Sequence, residues 1–183
     1  MTPSKQTAEP ALQQLLSDAA LAGEWILDPS QSSISLQNRS MGGLVRVRGV
    51  FRQVTGNGTI SPVGQVSGVL TVAAASIDTK NARRDTHLCS ADFFDSGNHP
   101  DITFTVDGIR PAGGGVTVTG TLSVRGRARA LSFDAAAAIR GNGEVWLDAE
   151  VSINRADFGL AWNLLGLVSM NNTLTVHAVF TRR

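Results

Sequence analysis

From Trp25 onward, apolar and polar residues alternate along most of the chain. Ile34 and Leu36 alternate with Ser33, Ser35 and Gln37, and Val66, Leu70 and Val72 with Ser67 and Thr71. Ile102, Phe104 and Val106 form a third run, and Val116, Val118, Leu122 and Val124 a fourth. Leu131, Phe133, Ala135 and Ile139 share a face; so do Val145, Leu147, Val151 and Ile153, and finally Leu174, Val176, Ala178 and Phe180. Successive strand side chains point to opposite faces, so each run predicts a strand with one apolar face. Half-buried strands of this kind favour an antiparallel sandwich or barrel over a parallel α/β sheet. Turn residues separate them at Gly56-Asn57-Gly58, Pro62 to Gly64, Pro111 to Gly115, Arg125-Gly126 and Gly141-Asn142-Gly143. Hairpin-linked strands of this number predict an all-β, up-and-down antiparallel barrel of about eight strands, because closure removes exposed sheet edges.

Two segments depart from the alternation. Leu12, Leu15, Leu16 and Ala19 recur at helical spacing after Pro10, which predicts a short amphipathic helix over about 10–22. Residues 1–23 then form an N-terminal extension and 24–183 the barrel domain. Residues 75–100 do not alternate. Asn81 can cap a short helix running to about Ser90, with Phe93 and Phe94 tucked beneath it. An insertion this long between strands suggests a lid or binding loop.

This insertion also carries a family resemblance. Ser76-Ile77-Asp78-Thr79, Asn81, Arg84-Asp85, His87-Leu88, Asp92-Phe93-Phe94-Asp95 and His99-Pro100 resemble the central signature of the YceI-like, polyisoprenoid-binding family. Trp25 with Leu27-Asp28-Pro29, Val47-Arg48-Gly49 with Phe51, and Gly120, Leu122 and Gly126 are similar to its flanking strands. Asn154-Arg155, Asp157-Phe158-Gly159, Trp162-Asn163 and Gly166 are similar to its C-terminal region. The resemblance implies an extended lipocalin-like barrel that binds amphiphilic isoprenoids, such as quinones or polyprenyl phosphates, in its interior. It also implies homodimerisation and no established catalysis. Family members often carry a histidine where Ser40 stands, a departure that bears on the ligand's head group.

Leu36, Phe51, Leu70, Phe104, Leu122 and Phe133 lie on the inward faces of their runs. Alternation alone leaves two readings of them, a filled core or the lining of a chamber, since eight strands can enclose one small ligand. The family resemblance implies the chamber. Small inward residues, among them Gly68, Ala74, Gly120, Ala135, Ala137, Ala149 and Ala178, would leave room for it. Asn81, Arg84 and His87 sit on the insertion and are the candidates for holding a head group at the mouth; hydrogen bonds from the insertion to the barrel are the competing role.

Composition narrows the alternatives. A formal net charge of +1 argues against a nucleic-acid binder. Arg125, Arg127 and Arg129 share a face, either solvated or facing an anionic group. The single cysteine, Cys89, excludes an internal disulfide. His87, Cys89, His99 and His177 match no zinc spacing, so neither a metal nor a cofactor is expected. There is no Gly-x-Ser-x-Gly elbow, and no catalytic residues are assigned. An enzyme remains an alternative, using the same apolar cavity to cyclise or isomerise a hydrophobic biosynthetic intermediate.

Ala20-Leu21-Ala22 mimics a cleavage site, but polar residues interrupt the apolar stretch before it, and no stretch suits a membrane span. A soluble cytoplasmic protein is therefore expected. Phe158 to Met170, with Trp162, Leu164, Leu165 and Leu167, could pack on the barrel end, gate it or form a dimer patch. Trp146 falls on the outward parity of its strand, which points to a partner, a covering segment or a bulge.

Overall fold

Each alternating run forms a strand in the computed structural model, which describes residues 19–141, 143–161 and 168–183. In chain order the strands are β1 (Gly23–Leu27), β2 (Ser33–Ser40), β3 (Val45–Phe51), β4 (Val54–Ile60), β5 (Val66–Ala73) and β6 (Ile77–Asp78). Helix α1 (Ala82–Cys89) follows, then β7 (Asp101–Ala112), β8 (Gly115–Val124), β9 (Arg127–Ile139), β10 (Val145–Asn154) and β11 (Val168–Arg182). The sheet runs β1-β4-β5-β7-β8-β9-β10-β11, and β1 pairs back onto β11 to close an eight-strand antiparallel barrel. Strands β2, β3 and β6 extend it: β2 pairs with β11 over His177 to Val168, beyond the Phe180–Arg182 stretch that holds β1. The predicted lipocalin-like architecture is the one observed.

Local chemistry explains the hairpins. The β8–β9 turn is Arg125-Gly126, with φ of +50° and +71°, the two left-handed residues that a tight hairpin needs. The Gly141–Gly143 hairpin closes through Arg140 N to Glu144 O (3.0 Å). The turn predicted at Gly56-Asn57-Gly58 is absent: these residues lie inside β4, paired with Leu70, Val69 and Gly68 of β5. The glycines serve close approach here. A Cβ on Gly68 would stand 2.6 Å from Asn57 O, and one on Gly58 3.0 Å from Ser67 O. The helix predicted over about 10–22 lies outside the described residues as far as Asp18. Its last residues form a turn, with Ala22 N donating to Ala19 O.

The insertion is ordered as predicted. The Asn81 side chain accepts from Arg84 N to cap α1, and Phe93 and Phe94 are buried in edge-to-face contact, 4.9 Å between centroids. Polar ties brace it internally and fasten it to the β3–β4 corner. Asp85 accepts from Thr79 N (3.0 Å) and Thr79 Oγ1 (2.5 Å), and Arg52 of the β3–β4 corner donates to Asp78 of β6 (2.6 Å).

The Arg52 guanidinium, with the Lys80 backbone N–H and ammonium, holds the Asp78 carboxyl well below the usual carboxylate range. A depressed carboxylate adds stability that is complete above its unfolded pKa and lost as pH falls below it. Thermal melts between about pH 6 and pH 2 should therefore show a shallower acid-side loss for Asp78→Asn than for the parent. Parallel curves would show that the tie does not contribute.

Candidate ligand chamber

The inward faces of the strands do not meet at the barrel axis. Two adjoining apolar chambers remain, each of about 130 Å³. That is close to the ~150 Å³ at which an apolar cavity stays dry and accepts a small hydrocarbon. Leu36, Phe51, Leu70, Phe104, Leu122 and Phe133 all line the first chamber. Leu70, Phe104, Phe133 and Val176 line both and form a waist between them; the Phe104 and Phe133 rings lie 5.5 Å apart.

Small side chains keep the bore open. Gly68, Ala135, Ala149 and Ala178 line the second chamber. Gly120 lets Phe104 lie against its strand, since a Cβ there would come within 2.6 Å of the ring and 2.2 Å of Thr105 O. From Asn172 to Phe180 along β11 the lined path measures about 26 Å at ~3.3 Å per residue.

The two ends differ in chemistry. The second chamber ends at Trp25, whose indole N–H donates to Leu21 O (2.9 Å). At the other end, Phe93 and Phe94 from the insertion meet Phe158 and Leu160 from the turn after β10. Beside them stand Thr103, Arg155 and Asn172, the polar members of this wall. Arg155 is 2% exposed; its Nε donates to Ser169 O (3.0 Å) and its Nη1 to Leu160 O (2.8 Å). Burial lowers the guanidinium pKa, yet arginine stays cationic.

Asn38 Nδ2 donates to Ser169 O (2.9 Å) and Asn172 Oδ1 (2.6 Å). Its own Oδ1 is buried and has no hydrogen-bond partner among the described residues. A register shift in β11 between Val168 and Asn172 accompanies the gathering of these groups.

The sequence marks Arg155 only as part of the family resemblance and gives Asn172 no role, although Asn172 shares the inward parity of Leu174 and Val176. An arginine at a strand end reads as solvated. The signal for its burial was Asp157-Phe158-Gly159, whose αL glycine (φ +73°) folds the turn back over the chamber.

The three mouth candidates are not among the lining residues. Asn81 caps α1, Arg84 donates to Thr79 Oγ1 (2.8 Å) and Thr79 O (2.9 Å), and His87 Nε2 is shielded from solvent. The insertion instead turns Phe93 and Phe94 toward the interior. Of the alternating arginines, Arg125 donates to Ala91 O (2.7 Å) and Arg129 to Ala128 O (2.8 Å), while the Arg127 guanidinium lies against Gly159.

Trp146 is outward, as its parity predicts, and its own chain covers it. The Arg140 guanidinium stacks 3.4 Å from the ring centroid, His177 meets the ring at 5.1 Å, and Glu144 accepts from the indole (3.1 Å). Trp162, Leu164, Leu165 and Leu167 lie outside the described residues. No helix among the described residues is long and apolar enough to cross a membrane.

Residues 25–180 match the YceI-like domain. The chain belongs to the YceI-like family. It is 31% identical over 101 residues to the protein YceI of Escherichia coli O17:K52:H18, an alignment covering 52% of each; the chain thus spans about half the length of the curated relatives it matches. Among solved structures, Burkholderia cenocepacia BcnA superposes with a TM-score of 0.76 at 24% identity, over 84% of this chain and 98% of that one. A polyisoprenoid binding domain from Saccharophagus degradans, implicated in plant cell wall breakdown, superposes at 0.71 with 17% identity, over 87% and 98%. The Campylobacter jejuni YceI protein gives 0.64 at 25% identity, over 76% and 86%. The family's barrel fold therefore extends to this chain.

Replacing Arg155 by leucine would strip the donors from Ser169 O and Leu160 O. Urea unfolding should show a stability loss of about 2–3 kcal/mol. An unchanged midpoint would mean that the turn over the chamber holds itself closed without the guanidinium.

Proposed function

We propose that the barrel binds the hydrocarbon chain of an amphiphilic isoprenoid, threaded through both chambers, and so carries or stores it away from water. The observation that supports this most directly is the pair of apolar chambers joined in line at the Leu70–Phe104–Phe133–Val176 waist. A path of that length and narrow bore suits a chain better than a compact ligand. Burying such a chain yields about 25 cal/mol per Å² of apolar surface before ordering costs. That gain is indifferent to the exact chain. The likeness to a polyisoprenoid binding domain supports the same reading.

On this reading Leu36, Phe51, Leu70, Phe104, Leu122 and Phe133 hold the chain. The polar end of the ligand, a quinone or a polyprenyl phosphate, lies toward Arg155 and Asn172. Asn81 and Arg84 brace the insertion from within, and His87 stands outside the bore. Among the described lining residues Arg155 alone is ionisable, which favours carriage over acid–base chemistry.

Native mass spectrometry of the purified chain, followed by organic extraction, tests this. A stoichiometric isoprenoid is expected. A ligand-free mass that stays unchanged after incubation with a long-chain quinone and with a polyprenyl phosphate would refute it. Val176→Phe narrows the waist, and should weaken binding of long prenols by about tenfold while short ones, which fit one chamber, still bind. Equal loss for both lengths would refute the threaded arrangement.

A further inference from the structure

The β2–β3 hairpin carries apolar side chains where the fold has no use for them. Met41 is 53% exposed, Leu44 87% and Val45 42%, three of the five large hydrophobic residues exposed among those described. The tip that presents them is strained: Met41 takes a φ of +52°, a region bulky side chains avoid, and buries nothing in return. Behind the tip, Arg39 stands directly opposite Arg46 in the strand register, with Arg48 on the same outer face. Like charges opposed across a ladder are destabilising. No acidic residue offsets them along the hairpin: between Asp28 and Asp78 the chain has four arginines and no aspartate or glutamate. The neighbouring stretch of β11, Val168 to Asn172, has none either.

Strained backbone, an exposed apolar tip and an opposed arginine pair each weaken the free protein. Together they match a surface that is anionic in its outer layer and apolar beneath. We propose that the β2–β3 hairpin docks the protein on an anionic lipid bilayer, with Met41, Leu44 and Val45 entering the acyl boundary and Arg39, Arg46 and Arg48 contacting lipid phosphates.

Side chains at a membrane interface gain from apolar burial and from basic residues at head-group level together. A protein partner would need a broader apolar face than three residues at a loop tip. The hairpin also lies well for this. Strand β2 runs about 13 Å past Leu36 to Ser40 at the base of the tip, on the Asn38 side of the first chamber, where the polar wall residues gather.

Flotation of the full chain with vesicles tests the proposal, comparing phosphatidylcholine alone with phosphatidylcholine mixed with phosphatidylglycerol. Binding is expected on the mixed vesicles, falling with added salt. Leu44→Asp should weaken it about tenfold, and Arg46→Ser about fivefold. Arg46→Ser should also leave the Tm equal or higher, since it relieves the opposed pair, which a merely structural arginine would not do.

Equal binding to neutral and anionic vesicles would overturn the proposal, as would no binding to either. So would a Leu44-dependent dimer in sedimentation velocity without vesicle binding, which would identify a second copy as the partner. The vesicles contain no isoprenoid, so the result does not depend on what the chambers hold. A chain that takes up a quinone in detergent but ignores vesicles would lose the docking and keep the carriage.

Discussion

The last strand carries two ladders on one edge. β11 pairs with β10 along its length, with β2 over its first part and with β1 at its end, and the β1 contact closes the barrel. Closure leaves no free edge in the eight-strand circuit, and it forces every inward side chain to share one interior. Whether that interior is solid or hollow then depends on side-chain size alone. Large residues ring the waist, while glycine and alanine face the second chamber. The cavity is thus a product of closure and residue volume together. It needs no loop to rearrange.

The end of the first chamber is built by a different device. Two short turns, one from the insertion and one after β10, place four apolar groups, Phe93, Phe94, Phe158 and Leu160, against its wall. At the register shift in β11, Asn38, Ser169, Asn172 and the Arg155 guanidinium gather beside them. An apolar bore with one polar wall discriminates end from end, so a ligand with one polar terminus would have one preferred orientation within it. The proposed placement of the ligand's polar end toward Arg155 and Asn172 rests on that asymmetry.

Much of the barrel was legible from sequence because antiparallel strands with one wet face leave a period-two record. The capped helix and the buried Phe93-Phe94 pair were legible too, through Asn81 and the break in alternation. Gly56-Asn57-Gly58 misled because turn chemistry and close strand packing both select glycine, and only tertiary contact distinguishes them. The hollow interior was legible only by resemblance, since core and cavity lining share one alternation pattern. Arg155 escaped because a charge normally predicts solvent, and its burial depends on carbonyls contributed by Leu160 and Ser169, which come close only after folding. Trp146 illustrates the opposite case: its outward parity was correct, and the cover came from Arg140 and His177 rather than from another molecule.

A chambered interior has a mechanical consequence. Unfolding eliminates internal voids and so reduces volume, which makes hydrostatic pressure a denaturant in proportion to the void removed. Two apolar chambers in line, wherever no ligand fills them, add to the volume lost on unfolding. An occupant that fills them removes the void and adds its own binding free energy to the folded state. A ligand-filled barrel should therefore resist pressure better than an unfilled one.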